Sequence, residues 1–376
     1  MSKPRVGILS MQRIANYGSF LQAYGLKSIL EDLGAEVQFV DYEPGPCLDH
    51  SAIESGSSAL RKFDKFREAL SYDAPLRDRL AFIKYKQSYG KRFYPLLGLT
   101  SESNLHPDLD MLVIGSDEVF NCVQSNANVG FTPALFGHGI NASRKITYAA
   151  SFGNTTEDKL RRHDVAEKVS SWLKELDAIS VRDANSERVV MDLTDCEPTL
   201  NLDPVLAYDY MGLCDKIPSE IDEKSPYLIV YGYSGRLSDE ECAAVRAYAD
   251  NCNLKVLNIG GVQGCCDRFV DCNPFEVIAY FKHAEAVVTD TFHGSILATI
   301  TERPFATFVR STGYGNSQKL DDLLRRLGLS GRSTDVRGLE KILETSVDWN
   351  PVRDVILDGR KKSIEYLRSQ LACIQN

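Results

Sequence analysis

The sequence predicts an α/β protein with two doubly wound domains that face each other across a cleft. Two observations support this fold class. Strand-like apolar runs alternate with amphipathic helical patterns in both halves of the chain, which is the order typical of parallel sheets covered by helices. The 376 residues also suffice for about two domains at roughly 100 to 200 residues each. Ligands of such folds bind beyond the carboxyl ends of the strands, so we expect the chemistry in the loops after the strands.

The N-terminal domain is predicted over residues 1–210. Residues 6–10 form an apolar strand, the next helix carries a buried stripe, and residues 36–42 alternate and are rich in valine and phenylalanine. This order makes a βαβ unit, whose two strands are expected to be parallel. Further strands are predicted at 110–114, 145–152 and 178–181, a long helix around 160–176, and a charged, aromatic-rich helical insertion near 46–105.

The C-terminal domain is predicted over residues 222–345. Ser238 and Glu241 have the spacing of a capping box, and Asn273 followed by Pro274 is typical of a helix start. Strands are predicted at 227–231, 255–259, 286–289 and 305–309, helices at 294–301 and 320–327, and a last helix at 350–376, for which packing back on the N-terminal domain is one arrangement.

Charge and composition exclude several classes of protein. The 43 Lys and Arg residues against 52 Asp and Glu residues give a net charge of −9, and no basic run of five or more occurs, so no nucleic-acid partner is expected. No secretory signal or transmembrane segment is visible in the sequence. We therefore expect a cytoplasmic protein, with peripheral association at the inner membrane face as an alternative.

The ten cysteines include no Cys-x-x-Cys pair and indicate reduced thiols of a reducing compartment. Cys265, Cys266 and Cys272 lie close together and raise the question of zinc. No histidine or second tight cysteine pair lies near enough to complete a site of the usual spacing, so we predict neither a metal nor a cofactor.

Polar segments follow four of the predicted strands. They are Asn16-Tyr17-Gly18-Ser19, Gly115-Ser116-Asp117-Glu118, Arg182-Asp183 and Asp290-Thr291-Phe292-His293-Gly294. The first leads into a helix and suits an anion, or it is a plain turn and helix cap. The second is open to the same two interpretations. Neither is a Walker loop or a dinucleotide fingerprint, which weighs against a nucleoside triphosphatase or a hydride-transfer enzyme.

Arg182 and His293 are the strongest candidates from residue type and position. An arginine after a buried strand needs an acidic partner, for which Asp183 and Asp203 are available, or an anionic ligand. His293 lies between a strand end and a helix start, so its imidazole can face the cleft beside free backbone N–H groups; a structural histidine is the alternative. The other five histidines have no such context.

Six segments in order resemble the signature blocks of the polysaccharide pyruvyl transferase family. They are residues 16–24, 113–117, 148–153, 180–182, 202–204 and 289–295. The resemblance implies transfer of a pyruvyl group from phosphoenolpyruvate to two hydroxyls of a sugar, with formation of a ketal. It also implies two Rossmann-like domains arranged as in GT-B glycosyltransferases. The partners are then phosphoenolpyruvate and a sugar or glycan acceptor, with a lipid-linked acceptor as one option.

The chemistry implied by this resemblance assigns roles to individual residues. His293 would act as proton donor and acceptor, Asp290 would orient the His293 side chain, and Asp117 would act on the acceptor hydroxyl. An alternative role for His293 is to hold the phosphate as a cation. The donor carries a carboxylate and a phosphate, which favour guanidinium groups and helix N-termini. The donor-binding residues are expected to be Arg182, Asn16, Tyr17, Gly18, Ser116, Thr291, Gly294 and Ser295.

Three positions depart from the family pattern. Members of the family often have glutamine at the position of Glu118, and some branches have arginine at the position of Thr291. Many relatives have an arginine shortly after an Asn-Ser pair, where this chain has Gln318. Two alternatives therefore stay open. One is a GT-B glycosyltransferase that uses a nucleotide sugar, and the other is a catalytically lapsed protein that binds a phosphorylated metabolite or glycan.

Overall fold

A computed structural model describes residues 3–48, 67–310 and 317–375. The first sheet has four parallel strands in the order β2-β1-β3-β4. The elements of this sheet and the two long helices between its strands are β1 (Arg5–Leu9), α1 (Tyr17–Asp32), β2 (Glu36–Phe39), α2 (Leu76–Leu97), β3 (Leu109–Ile114) and β4 (Ala142–Thr147). The predicted βαβ unit is confirmed, because β1 pairs in parallel with β2.

A second set of elements completes the N-terminal half. It comprises α3 (Glu157–Arg162), α4 (Ala166–Lys174), β5 (Ser180–Val181), α5 (Ala184–Thr194), β6 (Thr199–Leu200), α6 (Pro204–Ala207) and α7 (Tyr210–Leu213). The short β5 pairs with β6 and continues the first sheet through single parallel bridges from Ala178 to Ile146 and from Val181 to Ala150.

Two predicted elements of this half differ from the structure. The long helix around 160–176 is two helices, because Asp164 adopts a left-handed backbone with φ of 55° between them. The strand predicted at 145–152 is displaced toward the N-terminus and ends at Thr147. Ala149 has φ of 48°, which an extended strand does not allow. The chain therefore turns at this point toward the edge where β3 also ends.

The second sheet has six parallel strands in the order β12-β11-β10-β7-β8-β9. Its strands are β7 (Tyr227–Tyr231), β8 (Lys255–Ile259), β9 (Arg268–Phe269), β10 (Ala286–Thr289), β11 (Phe305–Phe308) and β12 (Ser333–Thr334). The helices are α8 (Asp239–Asn251), α9 (Pro274–His283), α10 (Phe292–Ile300), α11 (Ser317–Arg326), α12 (Leu339–Glu344) and α13 (Trp349–Ala372). The capping box of Ser238 with Glu241 and the start of α9 at Asn273 are as predicted.

The two sheets lie on either side of residues 210–222, where the boundary between domains is predicted. The last helix, α13, returns to the N-terminal half: the Tyr366 hydroxyl donates to the Thr147 carbonyl at 2.9 Å, and the Ser363 hydroxyl accepts from the Leu202 N–H at 3.1 Å. One large core cluster contains side chains from α1, α2 and the second sheet. The seam between the halves is therefore apolar as well as hydrogen-bonded.

The described part of the helical insertion packs against this seam. Helix α2 buries Tyr85, Tyr89 and Phe93 on one face, where the rings of Tyr85 and Tyr89 lie 5.5 and 6.0 Å from the Tyr17 ring. Arg92 forms an ion pair with Asp271 at 2.7 Å, so the helix links the two halves. Residues 49–66 of the predicted insertion lie outside the described residues. Among the described helices, none has the length and apolar content needed to cross a bilayer.

Candidate active site between the two sheets

A cavity of about 310 Å³ lies where the carboxyl ends of the two sheets meet. Its N-terminal wall comes from the loops after β1, β3 and β5, and its C-terminal wall from the loops after β7, β8 and β10. This is the position that doubly wound sheets give to their ligands. The polar residues of its wall include Asn16, Ser19, Asp117, Glu118, Arg182, Tyr233, Arg236, Thr291, His293 and Lys319.

The start of α1 joins the two halves at this cavity. The Asn16 side chain caps the helix, accepting from the N–H groups of Gly18 at 2.7 Å and Ser19 at 3.4 Å. Its amide nitrogen donates across the seam to the Tyr233 hydroxyl at 2.6 Å. Tyr17 is buried and donates from its hydroxyl to the Cys272 carbonyl at 2.7 Å. Both residues line the cavity, and the structure shows the helix cap that was one of the two interpretations.

Gly18 provides the surface on which the His293 ring rests. A Cβ atom at Gly18 would lie 2.2 Å from Nδ1 and 2.4 Å from Cγ of His293, far inside van der Waals contact. The backbone of Gly18 is helical and needs no glycine for its φ angle. The glycine is therefore explained by the close approach of the imidazole from α10, and Gly18 positions His293 rather than lining the cavity.

His293 faces a buried ion pair with its other ring nitrogen. The His293 Nε2 atom lies 3.5 Å from Oδ2 of Asp203, and the same Oδ2 accepts from Nη1 of Arg182 at 2.6 Å. Burial opposes ionisation of Asp203, but His293, Arg182 and the Val205 N–H outweigh it and hold its pKa at about 2. Burial likewise works against the charge of Arg182, yet Asp203 and Asp117 raise its pKa. Both groups are thus charged at neutral pH.

Two buried nitrogen atoms in this group have no hydrogen-bond partner among the described residues. They are Nε of Arg182 and Nε2 of His293; the 3.5 Å approach of Asp203 to the imidazole is within ion-pair range but lacks hydrogen-bond geometry. The Arg182 side chain is 2% exposed and the His293 side chain 12%, and both line the cavity. Unpaired buried donors are costly, so these atoms are suited to a polar ligand.

Asp117 lies opposite, at the end of β3. It has a left-handed backbone with φ of 72°, and its carboxylate accepts from the Ser19 hydroxyl at 2.6 Å and from Nη2 of Arg182 at 3.4 Å. Ser116, by contrast, is completely buried, donates to the Ala149 carbonyl at 2.9 Å and is absent from the cavity wall. The structure therefore brings Asp117 to the site with Arg182 and His293, and places Ser116 behind it.

Asp290 is buried beneath the cavity wall and lies between two arginines. Its Oδ2 is 2.7 Å from Nε of Arg236 and 3.3 Å from Nε of Arg310. Burial raises the pKa of Asp290, although both arginines act in the opposite direction. The carboxylate found beside His293 Nε2 is that of Asp203, so Asp203 is a residue whose role at the histidine the sequence did not suggest. From the sequence, Asp203 was considered only as a candidate partner of Arg182.

Thr291, Gly294 and Ser295 build the turn that carries His293. The Thr291 hydroxyl caps α10 by accepting from the Gly294 N–H at 3.0 Å, and the Ser295 hydroxyl donates to the Thr291 carbonyl at 3.1 Å. A Cβ at Gly294 would lie 2.2 Å from Oγ1 of Thr289, so only glycine fits. Thr291 lines the cavity, whereas Gly294 and Ser295 do not.

The cavity wall also contains residues that had no role in the sequence analysis. Tyr233 and Arg236 follow β7, and Lys86 projects from α2. Only their position after a strand could have indicated the first two, because neither belongs to a recognisable motif. Within the described residues, no three or more His, Cys, Asp or Glu side chains are arranged to hold a metal ion.

The sequence profile of the polysaccharide pyruvyl transferase family matches residues 16–312. This range is most of the chain and contains every polar residue named above in the cavity wall except Lys319. The chain belongs to the polysaccharide pyruvyl transferase family. As a member of that family it is a transferase of polysaccharide biosynthesis, which agrees with the activity class expected from the six sequence segments.

Two solved structures that are similar to this chain are named for other activities. UGT89C1 of Arabidopsis thaliana is 12% identical, with 99% of this chain and 100% of that chain covered at a TM-score of 0.50. A UDP-GlcNAc 2-epimerase from Methanocaldococcus jannaschii is 10% identical, with 97% and 99% covered at 0.49. The first confirms for this pyruvyl transferase family member the expected GT-B-like pair of Rossmann-like domains. A comparison with curated proteins gave no match.

Proposed function

We propose that the protein transfers a pyruvyl group from phosphoenolpyruvate to two hydroxyls of a sugar in a polysaccharide or glycan precursor, forming a cyclic ketal. The observation that carries this proposal is a pair of buried nitrogens that make no hydrogen bond within the described residues, Nε of Arg182 and Nε2 of His293. They lie in one cavity beside the ionised Asp203. An anion with a protonatable carbon is the kind of substrate that needs both a fixed cation and a proton donor.

The charge of the cavity wall favours such a donor. Four cationic side chains line it, those of Lys86, Arg182, Arg236 and Lys319, against the carboxylates of Asp117 and Glu118. The closest counterions of Arg182 and Arg236 are Asp203 and Asp290, which do not line the cavity, whereas Asp117, a second partner of Arg182 at 3.4 Å, does. A volume of about 310 Å³ is at the lower end of ligand pockets and suits a small, highly charged donor.

The proposed reaction gives a step to each of three residues of the site. His293 donates its proton to the methylene carbon of phosphoenolpyruvate, which leaves an oxocarbenium-like centre at the neighbouring carbon. Asp117 accepts the proton of the first sugar hydroxyl as its oxygen attacks that centre. Inorganic phosphate then leaves with the proton that Asp117 took up, and the second hydroxyl closes the ring as its proton returns to His293. Arg182 neutralises the anion throughout, and general acid help of this type contributes roughly 10² to 10⁴ in rate.

The test measures phosphate release from phosphoenolpyruvate with a panel of hexose and N-acetylhexosamine acceptors. His293→Gln should lower the rate by roughly 10² to 10⁴, whereas His163→Ala, at an exposed position, should leave it unchanged. Phosphoenolpyruvate at 100 times its dissociation constant should raise the free energy of unfolding by about 2.7 kcal/mol. Stabilisation by UDP, GDP or CMP alone would favour a glycosyltransferase, and binding without turnover would favour a lapsed enzyme.

A further inference from the structure

Glu118 and Lys319 form an ion pair across the cavity. Glu118 follows β3 in the N-terminal half, Lys319 lies in the first turn of α11 in the C-terminal half, and the Lys319 ammonium donates to Oε1 of Glu118. The other carboxylate oxygen, Oε2, accepts from the Asn121 amide at 2.7 Å. Burial opposes ionisation of Glu118, but Lys319, Asn121 and Arg182 hold its pKa at about 2. Glu118 is thus ionised at neutral pH.

This pair differs in the place of its carboxylate from the pairs of Arg182 with Asp203 and of Arg236 with Asp290. Asp203 and Asp290 approach from behind the wall, whereas Glu118 and Lys319 both line the cavity. The two side chains are 29% and 16% exposed, so a small solute can reach both. An anion that enters the cavity therefore meets Lys319 already paired with a carboxylate that competes for it.

We propose that Glu118 occupies the position of the donor's carboxylate at Lys319, and that the donor carboxylate displaces it on binding. The inference rests on the proposed function, because it assigns the second anionic group of phosphoenolpyruvate. The phosphate goes to Arg182 and His293, and the carboxylate goes to Lys319. Lysine has three donors on a flexible stem, so its ammonium can turn from one carboxylate to another, while Asn121 retains Glu118.

Glu118 is then a specificity-determining residue. The carboxylate of Glu118 and the carboxylate of a ligand repel one another when both are ionised and close together. The ligand therefore binds Lys319 only if it displaces Glu118. A ligand with a carboxylate recovers an ion pair at Lys319, whereas a ligand with a phosphate alone meets the charge of Glu118 and gains nothing from Lys319. The cavity therefore discriminates phosphoenolpyruvate from free phosphate, which is also a product of the reaction.

Calorimetric titration of three ligands tests this assignment: phosphoenolpyruvate, pyruvate and inorganic phosphate, each with wild type, Glu118→Gln and Lys319→Met. Glu118→Gln should bind phosphoenolpyruvate and pyruvate about tenfold more tightly, which corresponds to about 1.4 kcal/mol, and should change phosphate binding less. Lys319→Met should weaken the two carboxylates by a similar factor. Glu223→Gln is the matched control, because Glu223 also pairs with a lysine, Lys255 at 3.1 Å, but is absent from the cavity wall.

The outcomes separate this inference from the proposed function. Equal phosphoenolpyruvate affinity of wild type and Glu118→Gln, with both folded, would overturn the inference and leave the proposed function intact. Tighter pyruvate binding by Glu118→Gln without any binding of phosphoenolpyruvate would support the subsite and contradict the proposed donor. If no variant binds any carboxylate, both proposals are wrong. Thermal unfolding of each variant shows whether it is folded, and Glu118→Gln keeps the test valid if Lys319→Met does not fold.

Discussion

Replacement of Gly18 by alanine should remove most of the activity without unfolding the protein. The added Cβ would lie 2.2 Å from Nδ1 and 2.8 Å from Cβ of His293. Ordinary van der Waals contact begins at 3.4 Å, so the imidazole must retreat by about 1 Å or rotate away from Asp203. A misplacement of about 1 Å can cost roughly 10²-fold in rate. We therefore expect kcat to fall about 10²-fold.

The same substitution should have a small effect on stability. Alanine is favoured over glycine in a helix by about 1 kcal/mol, and Gly18 has a helical backbone within α1. This gain offsets part of the strain from the displaced ring. The free energy of unfolding, measured in urea, should therefore change little. A loss of folded protein would then not explain the roughly 10²-fold loss of activity.

Steady-state phosphate release and the NMR signals of the His293 ring together test this reasoning. The control is Gly331→Ala, because a Cβ at Gly331 has no atom within 4 Å. The ring signals should shift in Gly18→Ala and stay unchanged in Gly331→Ala. Two results together would refute the claim that Gly18 sets the position of the imidazole. The kcat of Gly18→Ala would be within about threefold of wild type, and His293→Gln in that enzyme would still abolish turnover.

Three further substitutions have expected outcomes. Asp203→Asn leaves Arg182 without its buried counterion and should lower the free energy of unfolding by about 3 to 5 kcal/mol. The fold lowers the pKa of Asp203 from 3.8 to about 2, so its ionisation stabilises the folded protein by about 2 kcal/mol above about pH 4. This stabilisation is lost as the pH falls toward 2. In Asp203→Asn, the stability measured by urea unfolding should therefore depend less on pH in this range. Arg182→Lys keeps the charge but loses the planar fork, so the KM for phosphoenolpyruvate should rise about tenfold, measured by initial rates; an unchanged KM would place the anion elsewhere. Asn16→Ala removes the cap of α1 and should cost about 1 kcal/mol in thermal unfolding, whereas an equal Tm would show that the Tyr233 contact and the cap contribute nothing.

Much of the fold follows from local pattern, and the exceptions have local causes. The strands of the second sheet at 227–231, 255–259 and 286–289, the capping box at Ser238 and the helix start at Asn273 depend on neighbouring residues, so periodicity and cap chemistry predict them. The break between α3 and α4 depends on the left-handed backbone of Asp164, for which aspartate is only a weak signal. The early end of β4 depends similarly on Ala149, a residue type that does not usually adopt positive φ.

The site was predictable in its location but not in its contacts. The rule for carboxyl ends of strands places Asp117 and Arg182 at that edge of the first sheet and His293 at that edge of the second, and in the structure the two edges meet at the cavity. The contact of His293 with Gly18 and Asp203 joins residues more than 80 positions apart, which no periodicity describes. Gly18 is a particular case: beside Asn16 it is typical of helix-cap sequence, and only the ring resting on it shows why a side chain is excluded.

His293 is supplied by one half of the molecule and positioned by the other. Its backbone begins α10 beside the second sheet, while Gly18 supports one face of the ring and Asp203 faces Nε2 from the N-terminal half. The imidazole of His293 is therefore in place only when the two halves are in register. Three further contacts cross the same seam: Tyr17 with Cys272, Asn16 with Tyr233, and Glu118 with Lys319.

If the donor carboxylate takes Lys319 from Glu118, the substrate itself replaces one of these contacts. Donor binding and the alignment of His293 are then coupled through the same interface, so substitutions at the seam should alter kcat even where they touch neither substrate.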